Sequence, residues 1–81
     1  MTTNIILPEL GEGIIKATVA CWHAGPGDRI NAGDEIVEVA TDKAVFNVEA
    51  PATGRLKSIA VVEGKEGGVG AVLGTIEIEQ V

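Results

Sequence analysis

The sequence predicts an all-β domain, and three observations support this fold class. No window sustains the i, i+3, i+4, i+7 apolar spacing of an amphipathic helix. Short runs rich in Val, Ile and Thr recur instead between clusters of Gly, Pro and Asp. The segment from Gly27 to Val39 also aligns with Gly64 to Ile76, which places Gly33 on Gly70. Two copies of one β-unit favour a pseudo-symmetric sandwich, in which each half covers the apolar face of the other.

The first half of the chain is divided by turn-forming residues. A strand at 3–7 ends before Pro8, and a longer strand at 14–23 fills the stretch between Gly13 and Gly25. A very short strand near 29–31 lies between further glycines. The run at 35–41 is rich in Val and Ile and forms the last strand of this half.

The second half follows the same pattern. A strand at 44–50 ends before Pro51, and a strand at 54–62 ends before the glycine-rich stretch 64–70. A very short strand is expected near 67–69, and the alternating run at 72–79 is the last strand. No stretch is long enough for an interdomain linker, so residues 1–81 are expected to form one domain, the N-terminal part of a longer chain.

The segment from Glu35 to Glu49 has the form of a β-hairpin with Asp42-Lys43 as its two-residue loop. In this register one face is apolar and pairs Thr41 with Ala44, Val39 with Phe46, and Val37 with Val48. The other face is more polar and pairs Ala40 with Val45, Glu38 with Asn47, and Ile36 with Glu49. A slip of one residue would expose the apolar set, so burial fixes the register and places Lys43 at the tip. The loop lacks the glycine of tight hairpins, which leaves its turn type open.

Composition excludes several classes of function. Twelve acidic and six basic residues give a formal net charge of −6, which repels nucleic acid and anionic membrane surfaces. No apolar run approaches the roughly 18 residues of a membrane span. The lone Cys21 indicates a reducing compartment, which would be the cytoplasm of a bacterium or the mitochondrial matrix of a eukaryote.

Several spaced motifs resemble the lipoyl domain of the acyltransferase component of 2-oxo acid dehydrogenase complexes. They are Leu7 to Ile14, Gly27 to Asp34, Val39 to Ala44 and Ala50 to Gly54, and together they cover essentially the whole chain. The resemblance implies a flattened β-barrel or sandwich of two four-stranded antiparallel sheets. It also implies that Lys43 bears lipoic acid in amide linkage.

The resemblance further implies a set of partner enzymes and a role without catalysis in the domain itself. A lipoate ligase or lipoyl transferase would attach the group, and a thiamine-diphosphate 2-oxo acid dehydrogenase would acylate it reductively. The acyltransferase core would pass the acyl group to coenzyme A, and dihydrolipoamide dehydrogenase would reoxidise the dithiol. The isolated domain is expected to be monomeric. Thr41, Asp42 and Ala44 would form the recognition turn, and Glu9 and Glu12 would help the dehydrogenase recognise the domain.

The physical requirements of a carrier agree with Lys43. A group that enters several active sites needs a protruding and rigid point, because ordering a flexible one would cost entropy at each visit. Amide formation needs a neutral amine, whereas exposed lysines are charged at neutral pH, so activation must come from a separate ligase. Amide formation would change the formal net charge from −6 to −7, so basic partner surfaces are expected.

Two other functions are weighed against this one. A biotin carrier has a closely similar fold, but it usually sets its lysine between methionines, and the only methionine here is Met1. An unmodified β-sandwich interaction module fits the apolar pattern equally well. The adjacent Cys21, Trp22 and His23 form neither a metal site nor a catalytic dyad, because no second histidine or orienting group accompanies them, and Trp22 is expected in the core.

Two glycines depart from the apolar pattern of the second copy. Gly67 and Gly74 occupy positions where apolar residues are expected. Glycine contributes no side-chain packing, so the second half is expected to be packed more loosely than the first.

Overall fold

A computed structural model describes residues 1–78 and contains eight β-strands and no helix within that range. The strands are β1 (Thr2–Ile6), β2 (Lys16–Trp22), β3 (Arg29–Ile30), β4 (Glu35–Ala40), β5 (Val45–Glu49), β6 (Gly54–Ile59), β7 (Glu66–Gly68) and β8 (Val72–Ile78). All eight predicted strands are therefore present. Position 79 of the last predicted strand lies outside the described residues. Over residues 1–78 no helix is long and apolar enough to span a membrane.

The strands form two four-stranded sheets in which every neighbouring pair is antiparallel. One sheet has the order β1-β8-β6-β3 and the other has the order β5-β4-β2-β7. The predicted sandwich is confirmed. Over residues 1–78 the two sheets stay separate, so they do not close into a continuous barrel.

The predicted internal symmetry is present in the backbone. Exchanging β1–β4 with β5–β8 converts the strand order of one sheet into that of the other. Equivalent hydrogen bonds join the halves, because Gly27 N donates to Leu56 O at 2.7 Å and Gly64 N donates to Val19 O at 2.8 Å. The aligned glycines also share a left-handed φ: Gly27 (94°), Gly64 (90°), Gly33 (91°) and Gly70 (91°).

The core lies between the sheets and is aliphatic. Its buried residues come from both halves: Ile5, Leu7, Ala17, Val19, Ile30, Ile36, Val37, Val39, Val48, Ala50, Leu56, Leu73 and Ile76. Within residues 1–78 no polar or charged side chain is buried. Removal of this apolar surface from water is the main source of stability in so small a domain.

Trp22 lies at the margin of the core rather than inside it, so the prediction of a core tryptophan was only partly correct. Its indole Nε1 donates to Val61 O at 2.9 Å, and this polar contact fixes the ring at the edge. The ring packs over Gly74, where a Cβ would lie 3.1 Å from Trp22 Cη2 and 2.8 Å from Ser58 O. The expectation of looser packing is wrong at Gly74, because this glycine permits a close approach.

One cross-strand pair was predicted wrongly. Glu49 pairs with Glu35 instead of Ile36, because a β-bulge lies between Glu35 and Val37. Ile36 is 1% exposed, so it does not belong to the solvent-facing set. The bulge allows the consecutive apolar residues Ile36 and Val37 both to be buried, which strict alternation does not permit.

The largest differences from the predicted strands are at β2 and β6, which are each three residues shorter than predicted. Ile14 and Ile15 belong to the loop before β2, and Ile15 is 75% exposed. At the end of β6, the amides of Ala60 and Val61 both donate to Leu73 O, at 2.8 and 3.1 Å. This shared acceptor interrupts the regular ladder and ends the strand at Ile59.

Met1 and Ile78 lie at the end of the sandwich opposite the β4–β5 turn. β1 runs from Met1 toward Leu7, whose N–H and C=O pair with Ala71 and Gly70. Ile15, beside the β4–β5 turn, accepts a hydrogen bond from Val69, the residue before Gly70. Met1 and Ile78 therefore lie at the far end of a molecule that measures 41 × 21 × 17 Å.

Candidate functional site

Lys43 is exposed in the turn between β4 and β5, as predicted. The predicted register is observed for the four pairs nearest the turn: Ala40–Val45, Val39–Phe46, Glu38–Asn47 and Val37–Val48. Val37 and Val39 are 0% exposed, so both strands of the hairpin are anchored in the core. Lys43 thus extends from a rigid support into solvent.

The hydroxyl of Thr41 organises the turn through three hydrogen bonds. Its Oγ1 accepts from Lys43 N at 3.2 Å and from Ala44 N at 3.1 Å, and it donates to Ala44 O at 3.0 Å. Thr41 N also donates to Ala44 O at 2.8 Å. A threonine side chain therefore supplies local bonds that a turn commonly obtains from backbone alone.

The turn is not of the primed types that dominate two-residue hairpins. Among residues 1–78 no residue other than glycine has a positive φ, whereas the primed turns require one. This explains why Asp42-Lys43 needs no glycine. Thr41 was predicted in the turn, but the role of its hydroxyl was not, although threonine hydroxyls commonly bond to nearby backbone in turns.

The Lys43 ammonium is available for modification. Over residues 1–78 its Nζ makes neither a hydrogen bond nor an ion pair. Its neighbours Asp42 and Ala44 are also exposed, so an enzyme can approach the turn. The aliphatic stem of lysine and the exposed turn fit an attached acyl arm, because no described polar contact of Nζ would have to be broken.

A groove of about 360 Å³ lies beside Lys43. The hairpin forms one side of it with residues 40–43, and the end of the β1–β2 loop and the start of β2 form the other with residues 13–18. Glu66 of β7 completes the lining. The sequence did not indicate Ile15 or Thr18 as site residues, because both were assigned to the interior of a strand.

Glu9 and Glu12 lie in the exposed β1–β2 loop but do not line this groove. The residues that do so are the next ones along the chain, from Gly13 to Lys16. The loop is thus brought beside the lysine turn, whereas a role for the two glutamates in recognition stays a prediction.

The Cys21-Trp22-His23 run forms no catalytic or metal site in the described part of the chain. Within residues 1–78 no group of three or more His, Cys, Asp or Glu side chains could hold a metal ion. Desolvation raises the pKa of the Cys21 thiol, and the carboxylates of Glu63 and Glu38 raise it further. This thiol is therefore a poor nucleophile at neutral pH.

A small sandwich that presents an exposed lysine on an anchored hairpin turn is typical of covalently modified carrier domains. The family model described as "Biotin-requiring enzyme" matches residues 3–76. The chain belongs to this biotin- and lipoyl-attachment family.

The relatives of known function narrow this class to lipoyl domains. The succinyltransferase component of the 2-oxoglutarate dehydrogenase complex of Buchnera aphidicola is 45% identical over 62 residues, which are 76% of this chain and 15% of the relative. The lipoamide acyltransferase component of the branched-chain alpha-keto acid dehydrogenase complex of Pseudomonas aeruginosa is 35% identical over 80 residues. These residues are 98% of this chain and 19% of the relative.

Solved structures agree with this assignment. The lipoyl domain of the 2-oxoglutarate dehydrogenase complex of Azotobacter vinelandii superposes with a TM-score of 0.73 and 36% identity, covering 91% of this chain and 94% of that one. A multi-domain long-chain acyl-CoA carboxylase, with a TM-score of 0.78 and 20% identity, matches 99% of this chain and 7% of that one and shows the fold alone. The chain spans 15–19% of the length of the acyltransferase relatives described above.

Proposed function

We propose that this domain is a swinging-arm carrier whose Lys43 bears lipoic acid in amide linkage. The single observation that carries the proposal is the position of Lys43, exposed in a turn whose two strands are anchored in the core. The likeness to lipoyl domains supports the identity of the cofactor. When attached, the dithiolane accepts an acyl group and two electrons, and the domain holds and transports it.

The partners follow from the same proposal. A lipoate ligase or lipoyl transferase modifies Lys43, and a thiamine-diphosphate 2-oxo acid dehydrogenase acylates the arm. An acyltransferase core transfers the acyl group to coenzyme A, and dihydrolipoamide dehydrogenase restores the disulfide. The isolated domain acts as a monomer. A reducing compartment suits the dithiol and the unpaired Cys21, which supports a location in the cytoplasm of a bacterium or the mitochondrial matrix of a eukaryote.

Modification of the domain by purified lipoyl ligase with lipoate and ATP tests the proposal. We expect one lipoyl adduct by intact mass, mapped to Lys43 by peptide sequencing, and none in Lys43→Arg. The exposed Lys16, Lys57 and Lys65 are internal controls, because they have the same amine chemistry without the hairpin turn. A chain left unmodified beside a control domain that is modified would contradict the carrier function.

A parallel reaction with biotin ligase separates this function from the nearest alternative. Biotin attachment at Lys43, together with failure of lipoylation, would identify a biotin carrier. Failure of both would favour an unmodified interaction module.

We further propose that the substrate class is a 2-oxo acid, with 2-oxoglutarate as the first to test. The names of several relatives support this choice. The lipoylated domain should be reductively acylated faster by a 2-oxoglutarate dehydrogenase than by pyruvate, branched-chain or acetoin dehydrogenases. Mass spectrometry of the succinyl adduct measures the rate, and a faster reaction with another enzyme would reassign the complex.

A further inference from the structure

The groove beside Lys43 has a floor formed by residues of three neighbouring strands. Ala40 and Thr18 lie directly opposite each other on β4 and β2, and Glu66 lies opposite Thr18 on β7. Directly opposed residues of neighbouring strands share one face of the sheet, so these three form a row across its outer surface. The next position of β2, Lys16, faces Gly68, which has no side chain. Gly68 therefore adds no side chain to the outer surface next to Lys16.

Ile15 gives this groove an apolar wall. Its side chain is 75% exposed, although covering a large aliphatic group lowers the free energy. The backbone there is fixed, because Val69 N donates to Ile15 O at 2.9 Å. On the opposite side of Ala40, Val45 is 59% exposed. Ile15 thus contributes exposed apolar surface to the groove, and Val45 contributes it next to Ala40, which also lines the groove.

The charges around the groove suit an uncharged occupant. Lys16 Nζ lies 3.6 Å from Glu66 Oε2, so this cation already has a partner. Conversion of Lys43 to an amide removes the other positive charge that lines the groove. Asp42 also lines the groove and adds a negative charge, whereas the other lining residues are glycine, aliphatic or hydroxyl-bearing. This lining disfavours an anionic peptide and fits a hydrocarbon chain and a dithiolane ring better.

We infer that this groove binds the arm attached to its own Lys43, with the methylene chain and dithiolane ring lying against Ile15 and Ala40. The inference rests on the proposed function. Lys43 lines the groove, so a group attached to its side chain stays close to the groove. Its effective concentration there is roughly millimolar, which favours the arm over other ligands. Even a weak contact is then populated, and a partner enzyme with a deeper channel withdraws the arm.

Nuclear magnetic resonance of the lipoylated 81-residue chain tests this arrangement directly. We expect nuclear Overhauser contacts between the arm methylenes and the methyl groups of Ile15 and Ala40. We also expect lipoylation to shift amide resonances at residues 13–18 in addition to those near the turn. Both effects should be independent of protein concentration, because the contact is intramolecular.

A matched pair of variants supplies a second readout. Ile15→Ser removes the apolar wall, whereas Val62→Ser removes a comparably exposed aliphatic side chain that lies beside Trp22, outside the groove. The dithiolane should be reduced by a small water-soluble phosphine about threefold faster in Ile15→Ser than in the parent or in Val62→Ser, since a covered disulfide reacts more slowly. Dispersion of the amide spectrum verifies that each variant is folded.

The outcomes separate this inference from the proposed function. A chain that acquires no lipoyl group overturns both. A lipoylated chain whose shifts are confined to residues 42–44 and whose three reduction rates are equal overturns the docked arm alone. Contacts that grow with protein concentration would instead assign the groove to a second copy of the chain, which also overturns it.

Discussion

Thr41 stabilises the lysine turn by a hydroxyl rather than by a special backbone conformation. We expect Thr41→Val to lower the free energy of unfolding by about 1 kcal/mol, because the amides of Lys43 and Ala44 lose their acceptor. Hydrogen exchange at those two amides should become faster, while exchange in the middle of β4 is unchanged. Thr41→Ser retains the hydroxyl and should restore slow exchange. Equal exchange rates in all three proteins would show that the Thr41 hydroxyl does not stabilise the turn.

Lys43 should contribute function without contributing stability. We expect Lys43→Ala to change the free energy of unfolding by less than about 0.5 kcal/mol, because the side chain is exposed and makes no described polar contact. The variant should accept no lipoyl group. Urea denaturation and intact mass measure the two effects, and a large loss of stability would make Lys43 a structural residue.

At the scale of the elements, the β4–β5 hairpin was predictable because alternation and burial agree there. The four pairs next to the turn follow from the apolar pattern alone. The bulge at Ile36 was not predictable, because two consecutive inward residues break the period on which the pairing was based. Ile15 was missed for a related reason, since an apolar residue next to a strand resembles a continuation of that strand.

The residue at position 54, at the start of β6, must be glycine because the backbone of β8 approaches it closely. A Cβ there would collide with the carbonyl of Glu77 on β8, so we expect Gly54→Ala to destabilise the domain by at least about 2 kcal/mol. Gly68→Ala on β7 is the matched control, because its Cβ would lie 3.7 Å from Ile15 O, an ordinary contact. Urea titrations of both variants would show the difference, and equal stabilities would contradict the clash.

At the scale of the whole molecule, the approximate two-fold symmetry was visible in the sequence through four glycines. Gly27, Gly33, Gly64 and Gly70 keep their spacing because each needs a left-handed φ that other residues adopt only at a cost. The apolar residues between them vary more freely, since any aliphatic group of suitable volume fills the core. The sheet order and the groove depend on contacts distant in sequence, which no local pattern specifies.

The symmetry-related turns at Gly27 and Gly64 should make similar contributions to the free energy of unfolding. We expect Gly27→Ala and Gly64→Ala each to lower the free energy of unfolding by about 1–2 kcal/mol, because both positions have φ near +90° and open space for a Cβ. The double variant should lose about the sum of the two, since the sites share no contact partner. Thermal or urea unfolding measures this, and very unequal losses would show that the symmetry is geometric only.

The hydrogen bond from Ile78 N to Met1 O, at 2.8 Å, is the two-fold counterpart of that from Thr41 N to Ala44 O. Met1 and Ile78 are therefore placed like the two residues that flank a two-residue hairpin loop. Circular permutation follows from this: an Asp-Lys linker in place of residues 79–81 would join Ile78 to Met1, and new termini could open elsewhere at an exposed turn. Such a protein would present two lysine-bearing turns, one at each end of its 41 Å length.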